Sequence, residues 1–367
     1  MGDSSPAVIH QLPYDILLHI SSLLPATDIA HLLSTCQALR PLSYDEYIWK
    51  KLSNRVGVHD LTGFGGRSFR DVYIGLLHTY SPLLGLWAGD HPFTGQILEF
   101  RLDLGGQGRS PGIVGEVWIF RSLEPEEFDD PIAIQHPTRV PVLWIGFLDR
   151  SLGDESGEAQ KDAAASCFVV NGQTSAHPAH LTIMSETKES IYLHTRYGQH
   201  QHPTFPHPAW HEPVVRFPEA QHDPSRYYPL RSQENLCAGA AGVSPMGPSR
   251  LAGLWLGSYG AHGTECLFLT YDDTLKSLHE NVPRGSISWD RDLWSRAIGD
   301  IVPAYTYRGL GTVSGRGYMP HQRVHFDVIL AVVGPDELRL LWIDDGDIFG
   351  LIRYHDNAVT QSEIKET

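Results

Sequence analysis

The sequence is poor in basic residues and in long apolar runs. It holds 28 Lys and Arg against 43 Asp and Glu, a net charge of −15. A protein that binds nucleic acid or an anionic membrane surface needs a basic face. The longest apolar runs, at 140–148 and 328–333, have the length of strands and are too short to span a membrane. We therefore expect neither nucleic acid nor a membrane among its partners.

Cysteine is also scarce. The four cysteines, Cys36, Cys167, Cys237 and Cys266, are widely spaced and form no disulfide framework, so we expect a reducing compartment. The first residues show neither the basic nor the apolar region of a secretory signal, and Pro6 stands where a myristoylation motif requires Ser or Thr. These features predict a protein of the cytoplasm, the nucleus or both.

Residues 9–58 have helical periodicity and clear stop signals. Apolar residues at 16, 20, 23 and 24 form one stripe, Pro25 and Pro41 end two helices, and Asp28 is the expected N-cap of the second. A third helix is expected over 44–55. Three such short helices cannot bury all their apolar surface among themselves. The surplus implies either a partner or packing against the rest of the chain.

This segment resembles an F-box from end to end. The match comprises Leu12-Pro13-Tyr14-Asp15-Ile16-Leu17, Leu24-Pro25-Ala26-Thr27-Asp28-Ile29, Thr35-Cys36, Leu39-Arg40, Asp45-Glu46 and Trp49-Lys50-Lys51-Leu52. The resemblance implies docking onto the Skp1 adaptor and, through it, onto a cullin–RING ubiquitin ligase. The docking residues that it implies are Leu12, Pro13, Ile16, Leu17, Ile20, Leu24, Leu32, Leu33 and Trp49. The alternative is a helical cap whose core these residues form, and we expect Leu39 and Leu52 to be core residues.

The pattern changes to a period of two after residue 81. In 96–103, Leu98, Phe100 and Leu102 alternate with charged residues, and similar runs follow at 113–120, 140–148, 264–271, 325–333, 337–343 and 348–354. The predicted fold is α+β and multidomain: a three-helix F-box (8–56), a linker with a short helix (57–80), and a mainly antiparallel, lipocalin-like β-barrel (81–358). Long loops are expected at 149–166 and 199–248.

Two segments of the predicted barrel repeat one another. Leu84-Gly85-Leu86-Trp87 recurs as Ala252-Gly253-Leu254-Trp255, each before a strand. A Gly-x-Trp at the head of a first strand resembles lipocalin-type barrels, in which the tryptophan closes one end. Trp87 and Trp255 are therefore expected to be core residues.

A second resemblance covers most of 70–355. Residues 82–100, 258–265, 307–317 and 325–354 are similar to the domain that follows the F-box in the F-box only protein thirty-one family. The resemblance implies a non-catalytic substrate receptor whose barrel takes the C-terminal tail of a target protein, cyclin D type tails included, for ubiquitylation and degradation. Our candidate pocket residues are Tyr259, His262, Arg316 and Trp342. The alternatives are a lipocalin-like small-molecule binder and a zinc hydrolase with an open metal position beside Glu265 or Glu212.

Histidine is abundant, with 20 in the chain and eight between His177 and His222. Cys167, His177, His194 and His200 could supply the four ligands of a structural zinc, with His180 as a substitute. The family resemblance implies a Cys–His–Cys–His zinc site in this stretch, in which His194 stands where the family has its second cysteine. The prolines around His207 and His211 forbid a helical metal motif. We expect one structural zinc and no catalytic cofactor.

Overall fold

The structure is a computed structural model of the 367-residue chain. It describes residues 12–89, 97–106, 110–121, 124–127, 136–147, 164–171, 175–183, 191–195, 225–230, 248–258, 264–269, 303, 305–314, 323–344 and 346–354. The chain forms two compact units, one of residues 1–86, 97–117 and 140–227, the other of residues 87–96, 118–139 and 228–367. No helix in the part of the chain described above is long and apolar enough to cross a membrane.

Three short helices and a 3₁₀ turn open the described chain: α1 (Tyr14–Leu23), α2 (Ala26–Ser34), the 3₁₀ turn (Arg40–Tyr44) and α3 (Glu46–Arg55). Their side chains form one apolar core that includes Ile29, Leu39, Ile48 and Leu52. The three predicted helices are confirmed, but Asp28 is not an N-cap. The proline ring of Pro25 favours the extended backbone that precedes a helix. The helix α2 therefore begins at Ala26, the residue after Pro25, and Asp28 falls in its first turn.

The predicted short helix after the F-box segment is present and irregular. It consists of α4 (Phe69–Val72), a π-turn (Tyr73–Leu77) and α5 (His78–Tyr80), and we call it the link helix. Ser68 and Asp71 form a capping box at its start, where the Ser68 hydroxyl accepts from the Asp71 N–H at 3.1 Å. A 3₁₀ turn (Ser81–Leu83) leads directly into the first strand.

Eight antiparallel strands follow one another in chain order around a closed barrel. They are β1 (Gly85–Gly89), β2 (Ile97–Asp103), β3 (Gly112–Ile119), β4 (Thr138–Gly146), β5 (Ser166–Asn171), β6 (Ser175–Ile183), β7 (Ile191–Thr195) and β8 (Ser225–Leu230). Strand β8 lies inside the stretch predicted as a loop at 199–248. Its alternation is short and contains Pro229, which hid it from the sequence pattern.

The remaining strands form a second sheet instead of joining the barrel. They are β9 (Gly253–Ser258), β10 (Thr264–Leu269), β11 (Tyr305–Ser314), β12 (Arg323–Gly334), β13 (Glu337–Trp342) and β14 (Ile348–Arg353). The strand order is β10-β9-β14-β13-β12-β11. Strand β14 pairs with β9, so the meander predicted for the last three strands is completed within this sheet. The α+β prediction is confirmed, with the strands divided between a barrel and a six-stranded sheet.

Candidate functional site

An exposed apolar surface lies on α1 and the turn before it. Leu23 is 67% exposed, Tyr14 56%, Ile16 42% and Leu12 38%, whereas Leu17 on the opposite side of α1 is buried. Ile16 and Leu23 are seven residues apart and therefore share one face of the helix. The helical core behind them is already closed by buried side chains. We call Leu12, Ile16 and Leu23 the α1 face, and it is the strongest candidate for a docking surface. Tyr14 is exposed too, but its spacing places it on the side of α1 that carries Leu17 and Ser21.

Two side chains from elsewhere in the helical domain hold α1 in place. Arg55, the last residue of α3, donates to the backbone carbonyls of Leu24, at 3.0 Å, and of Ser22. These carbonyls belong to the C-terminal end of α1, where the helix cannot satisfy them internally. At the other end, the Tyr14 hydroxyl donates to the Asp45 carboxylate, and this hydrogen bond raises the pKa of Tyr14. Asp45 also caps α3 by accepting from the Tyr47 N–H at 2.8 Å.

The nine predicted docking residues fall into three groups. Leu12, Pro13 and Ile16 are exposed, and Ile20, Leu24 and Leu32 are half-buried. Leu17, Leu33 and Trp49 are buried in the helical core, so this structure offers no free surface at them. Leu39 and Leu52 are core residues, as predicted. The predicted docking residues did not include Leu23, although Leu23 lay on the predicted apolar stripe.

The predicted substrate residues map to one end of the six-stranded sheet. The register places the last residues of β9, β11 and β13 and the first residues of β10, β12 and β14 at this end. Tyr259, His262 and Arg316 lie outside the described residues, in the connections after β9 and β11. Trp342 is described and ends β13. The residues predicted from the sequence thus come from two connections and one strand terminus at the same end of one sheet.

Trp342 belongs to a half-buried aromatic cluster with Phe326 and Phe349. Its ring centroid lies 4.6 Å from that of Phe326 and 5.3 Å from that of Phe349. Gly311 lies opposite Phe326 in the β11–β12 register, and a side chain there would overlap the Phe326 ring. A side chain at position 311 would therefore require the Phe326 ring to move. The side chains of the cluster are partly exposed and pack on the core of the sheet, which gives this end an apolar floor.

The two Gly-x-Trp segments have the same local structure. Each follows a 3₁₀ turn, and both leading glycines, Gly85 and Gly253, have positive φ, of 112° and 130°. Trp87 and Trp255 are buried, as expected of core tryptophans. The indole of Trp255 donates to the Leu251 carbonyl at 2.8 Å.

The predicted zinc ligands are only partly within the described structure. Cys167 on β5 is buried, and this burial raises the pKa of its thiol to about 12. By backbone register, His177 on β6 lies opposite Val169, and His194 on β7 lies opposite His180. His200 lies outside the described residues. Within the ranges that the structure describes, no three His, Cys, Asp or Glu side chains are grouped as metal ligands.

Of the residues considered for the hydrolase alternative, only Glu265 lies within the described structure. Glu265 is an exposed residue of β10 opposite Gly257, while Glu212 and His262 lie outside the described residues. Burial, with the Glu265 charge as a second cause, raises the pKa of the neighbouring Cys266 thiol to about 12. A thiol with so high a pKa is mostly protonated at neutral pH and is a poor nucleophile.

Comparison with known proteins identifies the helical segment. The model of the F-box-like family matches residues 9–55. Human F-box only protein 31 is 25% identical over 311 residues, which is 78% of this chain and 52% of that protein. The rat protein of the same name is 24% identical, over 78% of this chain and 56% of its own. F-box only protein 31-A of Xenopus laevis is 25% identical over 326 residues, 77% of this chain and 54% of its own.

The chain spans about half the length of the curated relatives it matches. The match extends well beyond the helices, because 78% of the chain is included. The chain carries an F-box-like domain at its N-terminus and is a homologue of the proteins named F-box only protein 31.

Proposed function

We propose that this chain is a substrate receptor of a Skp1–cullin–F-box ubiquitin ligase. Its helical domain docks onto the Skp1 adaptor, and its β-structure binds the protein to be ubiquitylated. The receptor forms and breaks no covalent bond itself; it raises the rate of ubiquitin transfer by holding the target near the conjugating enzyme. The reducing compartments expected from the cysteine spacing, the cytoplasm and the nucleus, are where we place this activity.

The observation that carries the proposal is the α1 face. Leu12, Ile16 and Leu23 remain exposed although the helical domain has a closed core and further contacts with the link helix. A cap on a barrel would turn its apolar stripe toward the barrel. An apolar face of this kind on a domain with the F-box pattern is suited to a protein partner.

Binding of the purified chain to Skp1 tests this role. We expect Ile16→Asp, Leu23→Asp and the double variant Leu12→Ala/Pro13→Ala each to weaken binding by more than tenfold, because a charge or truncation at an apolar interface centre removes a hot spot. Ile74→Asp, on the link helix and 44% exposed, is the matched control and should bind as the unmodified chain does. Failure of the unmodified chain to bind Skp1 would favour the helical-cap alternative.

The finer part of the proposal is that the six-stranded sheet receives the C-terminal tail of the target. Support comes from the apolar floor formed by Phe326, Trp342 and Phe349, at the end from which the connections of the predicted residues leave. A floor of aromatic side chains with polar groups in the surrounding connections suits the end of a peptide chain.

Peptide binding measured by fluorescence anisotropy tests tail recognition. A cyclin D type tail should bind with its natural end and bind at least tenfold more weakly when residues are added beyond that end. Trp342→Ala should weaken binding at least tenfold, and Trp342→Phe should restore most of it. Leu310→Ala, 51% exposed and by register on the opposite face of the sheet, should leave binding unchanged. Equal binding of the natural and extended peptides would contradict a tail-reading site.

We also propose one structural zinc. Of the candidates Cys167, His177, His194, His200 and the substitute His180, the backbone register places Cys167 and His177 on one face of the barrel sheet and His180 and His194 on the other. Cys167 and His177, together with His200, are therefore the ligands that we expect. The donor types suit zinc, and binding would replace the proton that burial now keeps on Cys167. Metal analysis of protein purified without chelators should find one zinc per chain. Cys167→Ser should lose it, and Cys266→Ser, which changes a half-buried thiol elsewhere in the chain, should retain it. Retention of zinc by Cys167→Ser would exclude this ligand set.

A further inference from the structure

The link helix contacts the helical domain along one side. Glu46 of α3 accepts from the Phe69 N–H at 2.9 Å and so supplies the first turn of the link helix with an acceptor. The Arg70 guanidinium donates to the Ser43 carbonyl at 3.2 Å. The Tyr73 ring lies 5.8 Å from that of Trp49. Phe69 and Tyr73 thereby extend the core of the F-box-like domain.

The same helix is also joined to the barrel strands of its own compact unit. The carbonyl of Gly75, in the middle of the π-turn, accepts from the Ala165 N–H at 2.8 Å, immediately before β5. Carbonyls inside a helix ordinarily accept from the N–H four residues further on. A π-turn changes that spacing, and such turns are frequent at functional positions. Gly75, Leu76 and Leu77 are all buried, so this bond lies within a packed contact.

The loop before the link helix makes further contacts with the barrel. The Arg67 guanidinium lies 4.3 Å from the centre of the Phe147 ring, just beyond β4. A side chain on Gly63 would come within 3.1 Å of the Leu104 carbonyl and 3.4 Å of Pro111, which places the backbone of this loop directly against the chain between β2 and β3. Residues 57–80, predicted from composition as a linker, are thus packed on both sides.

From these contacts we infer that the F-box-like domain and the barrel strands of its unit open and close as one cooperative structure, with the link helix as the shared element. The inference rests on the proposed function in one respect: the ligand that stabilises the helical domain is taken to be Skp1. Anything that binds the folded helical domain then also stabilises the barrel strands, although it touches none of them. Binding of Skp1 to the helical domain thereby makes opening of the barrel strands after the link helix less frequent.

Hydrogen–deuterium exchange of the full chain tests this coupling. With Skp1 at 100 times its dissociation constant, amides that exchange only through joint opening should slow about 100-fold. We expect this slowing in α2 and α3 and, to the same degree, in peptides of β2 and β5. Slowing that is confined to the helices would overturn the inference while leaving the proposed docking intact.

Variants at the two contacts separate coupling from binding. Ala165→Pro removes the N–H that Gly75 accepts, and it should abolish the slowing in β5 while the helices keep theirs. Ala165→Gly retains that N–H and is the control. On the other side, Glu46→Ala should reduce the slowing in β5, and Glu46→Gln, which keeps an acceptor oxygen, should restore it. A merely structural effect would raise exchange with and without the adaptor and would leave their ratio unchanged.

The free chain provides a measurement that needs no adaptor. Arg55→Met should destabilise the helical domain, because Arg55 holds the end of α1. If the two parts open together, exchange in α3 and in β5 should accelerate by the same factor. Acceleration in α3 alone would overturn the inference even if Skp1 did not bind, so failure of the coupling and failure of the proposed function give different results.

Discussion

The guanidinium of Arg353 on β14 lies over the indole of Trp255 on β9, 4.7 Å from its ring. The two residues are opposite one another in the β14–β9 register. Arg353 also donates to the Ala252 carbonyl at 3.4 Å and to that of Arg250, and it pairs with Asp336 at 3.4 Å. One side chain therefore connects β9, β14 and the 3₁₀ turn that precedes β9 (Pro248–Leu251).

Arg353→Met should lower the stability of the unit that contains this sheet. The variant keeps an apolar stem but loses the cation–π contact and leaves two carbonyls without this donor, a loss of about 2 kcal/mol. Urea unfolding followed by tryptophan fluorescence measures it. Arg308→Met, which removes an exposed ion pair with Asp327, is the control and should cost less than about 0.5 kcal/mol. Equal losses would contradict the role assigned to Arg353.

Arg55→Met should destabilise the F-box-like domain by about 1–2 kcal/mol, because two carbonyls at the end of α1 lose a charged donor. The loss should appear in far-ultraviolet circular dichroism as earlier thermal melting of helix. Arg40→Met changes an exposed arginine of the same domain, and this variant should have the same melting temperature as the unmodified chain. If Arg55→Met had the melting temperature of the unmodified chain, water would replace the guanidinium with no loss of stability.

Two buried serines offer a gain in stability. Ser21 on α1 and Ser53 on α3 are fully buried, and their hydroxyls have no hydrogen-bond partner among the residues that the structure describes. Because an unsatisfied buried hydroxyl is costly, Ser21→Ala and Ser53→Ala should each stabilise the domain by about 1 kcal/mol. Ser22→Ala is the control: its hydroxyl donates to the His19 carbonyl at 2.8 Å, and its removal should bring no gain. Destabilisation by both alanines would indicate that the hydroxyls are satisfied.

Glu127 should titrate far below an ordinary glutamate. Its carboxylate accepts from both terminal nitrogens of Arg121, at 2.8 and 2.6 Å, and from the Glu124 N–H at 2.8 Å, which lowers its pKa to about 2. The pKa of Glu127 is lower in the folded protein than in the unfolded chain. The ionised Glu127 carboxylate therefore stabilises the folded protein fully at any pH above the ordinary glutamate pKa. That effect is lost as the pH falls toward about 2.

Carbon-detected NMR titration of the Glu127 carboxyl group measures this pKa. Arg121→Ala should raise it toward the ordinary value of about 4.3. Arg101→Ala, which breaks an ion pair with Glu116 instead, should leave it unchanged. A Glu127 pKa that did not respond to Arg121→Ala would assign the shift to another cause.

The sequence predicted what depends on local pattern. The stripe through Ile16 and Leu23 and the prolines at 25 and 41 are enough to place three helices, since helix periodicity and stop signals are local. The alternation around Leu98 and Phe100 likewise predicts a strand. The Gly-x-Trp echo identified two tryptophans that both prove to be buried.

What the sequence could not provide depends on contacts between distant residues. Nothing near β14 indicates that Leu351 will pair with Gly257, and this pairing is what divides the strands between two sheets. The prediction of the docking residues was limited in the same way, because burial also depends on contacts between distant residues. Leu17 and Leu33 fit an apolar pattern as well as Ile16 does, and only the packed domain shows that they form its interior.

The buried thiol of Cys167 and the half-buried thiol of Cys266 can report local opening of the protein. Cys167 belongs to one compact unit and Cys266 to the other, and burial keeps the pKa of each thiol at about 12. Alkylating reagents attack the thiolate, so in the closed protein both sulfurs react slowly. The time course of labelling at each cysteine, read by mass spectrometry, would report how often each half of the molecule opens without any introduced probe.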